Sequence, residues 1–489
     1  MVRCTLTKGI WLAGMAVAIA QVPRTMAAPP PIVVPISQQE PGAPVTDLSV
    51  ILSQLKRSNY LFGDLFGLRS FLSRYGVTFV AQETSEFLGN ARGGRTTGGE
   101  YDGLTQAVLQ LDTQRAFGHY GGLFNVSALQ IHGSNLSADH LLTLQTASGI
   151  EADRATRLWE LWYQQKFLAE DRLDVRIGQE SADQEFIVST NAGYFINTMF
   201  GWPALPSYDL PGGGPAYPLS APAVRIRWRP INAINLLVGV FNGSPVDDNS
   251  GDPQKRNPSG TTFPVRGGAL VFTELQYSYP SLGTLVSPGE STPLAHVYKI
   301  GAWYDSERFA DPRYDTQGVS LADPASNGVP AEHHGNVSLY AVADQMLWRD
   351  QDRPSHTLNV FTRVMGAPRA DRNLIAFSMN AGLVLHEPTR YRPDDTLGLG
   401  MGYARVSSQV AGYDRDVNAY AAPEAAPIPI QGGETYVELT YQRQLRPWWQ
   451  LQSDIQYVIN PGAGIADPNA PTRRVGNELV IGLRTNILF

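Results

Sequence analysis

The sequence predicts an all-β protein, a transmembrane antiparallel β-barrel of about sixteen strands preceded by a short N-terminal helical region. Three observations carry that reading. Apolar residues recur at every second position along most of the chain. The connections between such segments alternate between tight and long. Charged residues make up only 17% of the 489 residues, yet mean hydropathy is −0.18. Soluble proteins of this size usually carry about 25% charged residues, and a bundle of membrane helices would be far more hydropathic. A barrel that is greasy outside and wet inside averages to these values. The formal net charge of −7 leaves no basic excess for nucleic acid.

The chain opens as a secretory signal over residues 1–28. Arg3 and Lys8 supply the positive region, and residues 10–20 (IWLAGMAVAIA) form an apolar core too short to span a bilayer. Ala27 and Ala28 offer the cleavage site. Cys4, the only cysteine, precedes the apolar core, so the mature protein is expected to hold no disulfide and no thiolate ligand. Residues 29–45 are Pro-rich and read as a linker. Residues 46–75 carry Leu48, Ile51, Leu52 and Leu55 at helical spacing, with breaks expected at Gly63 and Gly67.

The barrel is expected over residues 76–489. From Val77 the period becomes two. In residues 157–167, Trp159, Leu161, Tyr163 and Phe167 share one face, and Glu160, Trp162, Gln164 and Lys166 the other. Side chains of a strand point alternately to opposite faces. The same pattern sets Leu173, Val175 and Ile177 against Asp174 and Arg176, and Val224, Ile226 and Trp228 against Arg225, Arg227 and Arg229. About sixteen segments begin near Val77, Gly103, Gly122, Arg157, Arg172, Pro222, Ile234, Gly267, His296, Gly335, His356, Leu374, Thr396, Glu434, Trp449 and Asn477. Tight connections follow the second, fourth, sixth and fourteenth, and long ones the third, fifth, seventh, ninth and thirteenth. The eighth is too long for this alternation and the eleventh rather short. Trp159, Tyr163, Trp228, Trp348, Trp448, Trp449 and Tyr457 suit an aromatic girdle at the membrane interface. The chain ends on an amphipathic strand closed by Phe489, as the assembly signals of bacterial outer-membrane barrels do.

Amphipathic strands facing lipid must close on themselves, because an open edge in hydrocarbon leaves backbone N–H and C=O groups unpaired. About sixteen strands enclose an aqueous channel.

Several stretches, in this order, resemble the carbohydrate-selective porins of the OprB family. They are GDLFGLRSFLSRYGVTFVAQ from Gly63, LWELWYQQKFLAEDRLDVRIGQ from Leu158, FINTMFG from Phe195, AYPLSAPAVRIRWRP from Ala216 and GVFNGSP from Gly239. The resemblance spans about residues 60–489. It implies a sixteen-stranded porin of the bacterial outer membrane that passes glucose and related sugars by diffusion, with three barrels as a candidate assembly.

Strand phase, rather than the resemblance, selects the candidate pore-lining residues: Glu160, Trp162, Asp174, Arg176, Glu180, Arg225 and Arg227, with Arg229 a weaker member beside a turn. Sugar hydroxyls donate and accept, which a mixture of guanidinium and carboxylate groups answers. Trp162 could lie against the apolar face of a pyranose. The connection 182–221 holds Phe186, Tyr194, Phe195, Phe200, Trp202 and Tyr208, too apolar to stand in water. Two placements suit it, folded into the lumen or packed over the rim and against neighbouring subunits.

Other motifs carry less. GLGMG at 398–402 lacks a following helix, and its alternate glycines suit a strand with a bare lumen face. His333 and His334 read as loop residues without a metal-ligand pattern. No cofactor is implied. The competing functions are a general porin, an anion channel on the basic row Arg225, Arg227 and Arg229, and a barrel-embedded hydrolase, for which no nucleophile–base–orienter set is apparent.

Overall fold

The computed structural model describes residues 59–247, 251–281 and 293–489. The expected signal, the linker 29–45 and residues 46–58 of the helical region lie outside the described residues. Within them, that region is one helix, Leu68–Arg74. Gly63 and Gly67 precede it at φ 56° and 93°, values that favour glycine, and the Asp64 carboxylate accepts from the Ser70 amide at 2.9 Å.

Alternating segments become strands. In chain order these are β1 (Val77–Arg92), β2 (Gly98–Asp112), β3 (Gly122–Gly133), β4 (Ala155–Phe167), β5 (Leu173–Glu180), β6 (Ala221–Ile231), β7 (Ile234–Asn242) and β8 (Ala269–Tyr279). There follow β9 (His296–Asp315), β10 (Pro330–Arg349), β11 (Thr357–Gly366), β12 (Ile375–His386), β13 (Thr396–Val406), β14 (Gly433–Arg446) and β15 (Trp449–Ile459). A small hairpin of β16 (Ala466–Asp467) and β17 (Ala470–Arg474) precedes the last strand, β18 (Glu478–Leu488). The hairpin stands apart; the other sixteen form one closed antiparallel barrel. β18 bonds to β15 on one side and to β1 on the other, from Gln82↔Leu488 to Asn90↔Val480. The sheet therefore has no free edge.

Six strands, β1, β3, β7, β9, β13 and β15, begin at the expected residue; β2 and β10 begin five earlier than expected, at Gly98 and Pro330. The long β10 takes in His333 and His334, so they are strand residues and not loop residues; His333 Nε2 lies 2.9 Å from Asp311 Oδ2 on β9. The connection 280–295 is long, and 367–374 is short.

The usual order of a soluble protein is inverted. Phe87, Ile177, Ile300, Leu339 and Leu483 are exposed on the outer face, while Arg225, Asp305, Glu438 and Gln456 are buried inside. Trp228, Trp348, Trp449 and Tyr457 stand exposed near strand ends as expected. Trp159 does not. The register between β3 and β4 jumps from Ser127↔Glu160 to Ala128↔Leu158. Such a bulge puts one extra residue on the bulged strand, and here it turns Trp159 into the lumen. There it is buried in edge contact with Tyr217, ring centroids 6.3 Å apart.

Candidate functional site

The connection 181–220 crosses the inside of the barrel. Its aromatic residues find partners on the far wall. Gly398 and Gly400 on β13 leave the space that the Phe195 and Phe200 rings fill; a Cβ at either would collide with them. The bare lumen face expected of GLGMG is thus a seat for the loop. Phe186 stacks on Phe272 with centroids 5.0 Å apart, and Phe200 meets Phe361 and Tyr436 edge-on. Burying each such ring is worth about 1.5–3 kcal/mol.

Polar wall residues satisfy the loop backbone. The Ile187 amide donates to Glu274 Oε2 at 2.9 Å, and the Ile196 and Asn197 amides donate to the two Glu438 oxygens at 2.6 and 3.0 Å. Arg363 donates to the carbonyls of Ile187, Gly201 and Met199. Asp344 accepts from Ser189 Oγ at 2.7 Å. A second connection, 134–154, also turns inward. Its Leu144 amide donates to Glu434, and the Gly149 amide donates to the Ile196 carbonyl, which joins the two loops.

The charged cluster stands where the 181–220 loop leaves β5. Residues 174 and 176 on β5 face 227 and 225 on β6, all four on lumen phase. Arg227 reaches Asp174 Oδ2 at 2.6 Å, and Arg225 also binds Asp174. Arg176 pairs with Glu185 at 2.8 Å and lies 3.7 Å from Glu180. Arg225 lies 3.4 Å from Glu185, and Gln164 Oε1 accepts from both Arg176 and Arg225. Burial would raise the Glu185 pKa, but Arg176, Arg225 and Arg227 outweigh it and hold the carboxyl below its ordinary value. Three guanidinium groups therefore face Asp174, Glu180 and Glu185, and the row is balanced rather than basic.

The seven residues selected by phase all come together here, but in different positions. The Arg227 side chain is 42% exposed and Arg176 12%, whereas Arg225 and Asp174 are 1% exposed. Glu160 accepts from the Ser181 amide at 3.2 Å and from Trp162 Nε1 at 3.4 Å, so it fixes the start of the loop. Trp162 offers no free ring to a sugar, because the Arg176 guanidinium covers it at 3.9 Å from the centroid. Arg229 binds the Glu170 carbonyl near the turn. Glu185, 17% exposed, was not selected, since strand phase says nothing about loops. A signal existed: residues 181–220 hold Asp183, Glu185 and Asp209 but no lysine or arginine, so their acids need partners on the wall.

A closed barrel with an apolar outside, a charged inside and inserted loops is a membrane-spanning porin. Sequence comparison makes the class specific. Residues 96–489 match the carbohydrate-selective porin, OprB family, and the chain belongs to that family. It is 25% identical to Porin B of Pseudomonas aeruginosa over 455 residues, covering 88% of this chain and 92% of that one. It is 24% identical to the putative porin QuiX of Acinetobacter baylyi over 456 residues, covering 88% and 93%. In fold it is similar to the high-pH structure of Pseudomonas putida OprB, with a TM-score of 0.74, 23% identity, and coverage of 89% of this chain and 99% of that one. Family and fold together support a bacterial outer-membrane location.

Proposed function

We propose that this chain is a passive channel for small, glucose-like sugars, exported by removal of residues 1–28. The observation that carries the reading is the balanced cluster of three guanidinium groups and three carboxylates on the lumen side, beside the inserted loop, in which Arg176, Glu185 and Arg227 are the more exposed members. These three are the groups we assign to sugar hydroxyls; Arg225, Asp174, Glu160, Glu180 and Trp162 hold them in place. Fixed donors and acceptors of cancelling charge suit a neutral polyhydroxylated solute better than an ion. Contacts of this kind admit a solute and still release it. The balance also weighs against the anion channel, which needs guanidinium groups left uncompensated. A diffusion path needs no catalytic group.

Liposome swelling with purified protein tests this. Glucose should enter faster than a disaccharide or an amino acid of similar size. Equal rates would mean a general porin, and an anion current blocked by phosphate would mean the anion channel. Replacing Arg227 with Ala should weaken saturation by glucose several-fold while the barrel still folds; unchanged flux would remove Arg227 from the path.

A further inference from the structure

The helix Leu68–Arg74 turns its apolar side away from the barrel. Leu68, Phe71 and Tyr75 stand three and four residues apart, so they form one stripe along it. All three are exposed, and so are Phe62 and Phe66, the latter completely. A helix packed on a soluble protein would press such a stripe against the core. Here polar groups hold the segment instead. Arg69, off the stripe, donates to the Phe79 carbonyl on β1 and to a main-chain oxygen of Phe489, and its guanidinium lies 3.9 Å from the centroid of the Tyr60 ring. The Leu61 amide donates to the Leu488 carbonyl at 2.8 Å.

The segment stays outside the barrel. Phe489 has the outward phase of Ile487 and of the exposed Leu483, and the Phe62 ring stacks on it. This end of the barrel carries the tight turns 168–172 and 447–448, and in such barrels the short turns face the periplasm. Around it the strands raise exposed aromatic rings, among them Trp228, Tyr277, Trp348 and Trp449. The strands beside the seam do not: β1, β2 and β18 hold no tryptophan or tyrosine at this end. Residues 60–75 cross that stretch and bring Phe62, Phe66, Phe71 and Tyr75 to it.

Five exposed apolar side chains on so short a segment mark a contact surface. The zone between headgroups and acyl chains takes up aromatic rings, and amphipathic helices lie flat in it. Arg74 and Arg115 are exposed nearby, and Arg115 lies 3.4 Å from Ser73 Oγ on the helix. Anionic lipid phosphates suit such guanidinium groups. We infer that residues 60–75 are a membrane anchor. They lie along the periplasmic leaflet of the outer membrane, with their rings in the boundary layer and their arginines at the phosphates, and so complete the girdle across the seam. The anchor does not depend on which solute the channel passes.

Cys4 is the only cysteine, so a Cys4→Ser background lets a nitroxide be attached at one chosen position. Power saturation of its resonance in phospholipid vesicles then reads depth. Labels at Phe66→Cys and Phe71→Cys should respond several-fold more to oxygen, which concentrates among acyl chains, than to a water-soluble nickel chelate. The lipid-face control Ile300→Cys should behave alike, and Gln317→Cys, exposed beyond the other end of β9, should show the reverse order. Nickel dominance at both 66 and 71 overturns the inference, because the segment would then stand in water. Shielding from both reagents also overturns it, because protein, either residues 46–58 or another chain, would then cover the stripe in place of lipid. Should the labelled chains fail to fold, the wild type itself serves. A phospholipid with a diazirine near its headgroup should tag residues 60–75 on illumination; tagging around Trp449 but none in 60–75 overturns the inference.

Discussion

At Glu185 one carboxylate answers two close guanidinium groups, and the consequence is a pH response. Its folded pKa lies below its ordinary value of 4.5. Its charge therefore contributes stability above that ordinary value, and the contribution is lost as pH falls through the lowered one. Planar-bilayer recordings should show a noisier open channel as pH falls through that lowered value, as Arg176 and Arg225 lose their shared partner. Glu185→Gln should be noisy already at neutral pH and change little on acidification; a quiet wild type throughout would contradict this. A second residue-scale expectation concerns Trp159. Its ring lies inside against Tyr217, so Trp159→Ala should cost about 3–5 kcal/mol, as for a buried core aromatic, whereas a girdle residue would cost much less. Chemical denaturation from detergent reads the difference. The alternation of residues 160–166 is plain in the sequence, and so was the grouping of Arg176 with Arg225. The reversal at Trp159 was not, because a bulge is a mismatch between two strands and neither strand alone records it.

At the scale of elements, the strands were readable and the inserted loops were not. A strand that faces lipid on one side and water on the other writes both environments into every second residue, so β7 and β13 begin where the pattern says. A loop's path depends on residues far away in the chain. Phe195 sits where it does because Gly398 and Gly400 lack side chains, and the Ile196 amide because Glu438 awaits it. The apolar content of 182–221 showed that the loop is covered; only the far wall shows by what. Connection 134–154, more polar, gave no comparable hint. Two substitutions probe the anchoring. Gly400→Leu would occupy the space of the Phe200 ring, and Arg363→Ala would remove three carbonyl partners at once. Each should raise single-channel conductance several-fold and abolish block by glucose, with the barrel intact by its heat-dependent gel shift. Unaltered conductance in both would mean that the loop does not set the width of the path.

For the whole molecule, closure is the governing fact, and its seam lies between the first strand and the last. Phe489 takes part there: its amide donates to the Ala81 carbonyl at 2.7 Å, and its ring stacks on Phe62 at 5.5 Å between centroids. The ring pair alone is worth about 1 kcal/mol. Deleting Phe489 should lower the folded fraction several-fold in refolding assays; equal yields would show the seam indifferent to it. The 181–220 loop has a longer reach than the seam. Its ties run to Glu274 on β8, Asp344 on β10, Arg363 on β11, Glu438 on β14 and Gln456 on β15. Like spokes in a wheel, they brace the hoop from within, and hub and rim must fit one another. Grafted alone into another barrel, that segment would arrive without its matching sockets. What the pore admits is thus a joint property of insert and wall, open to change only when both change together.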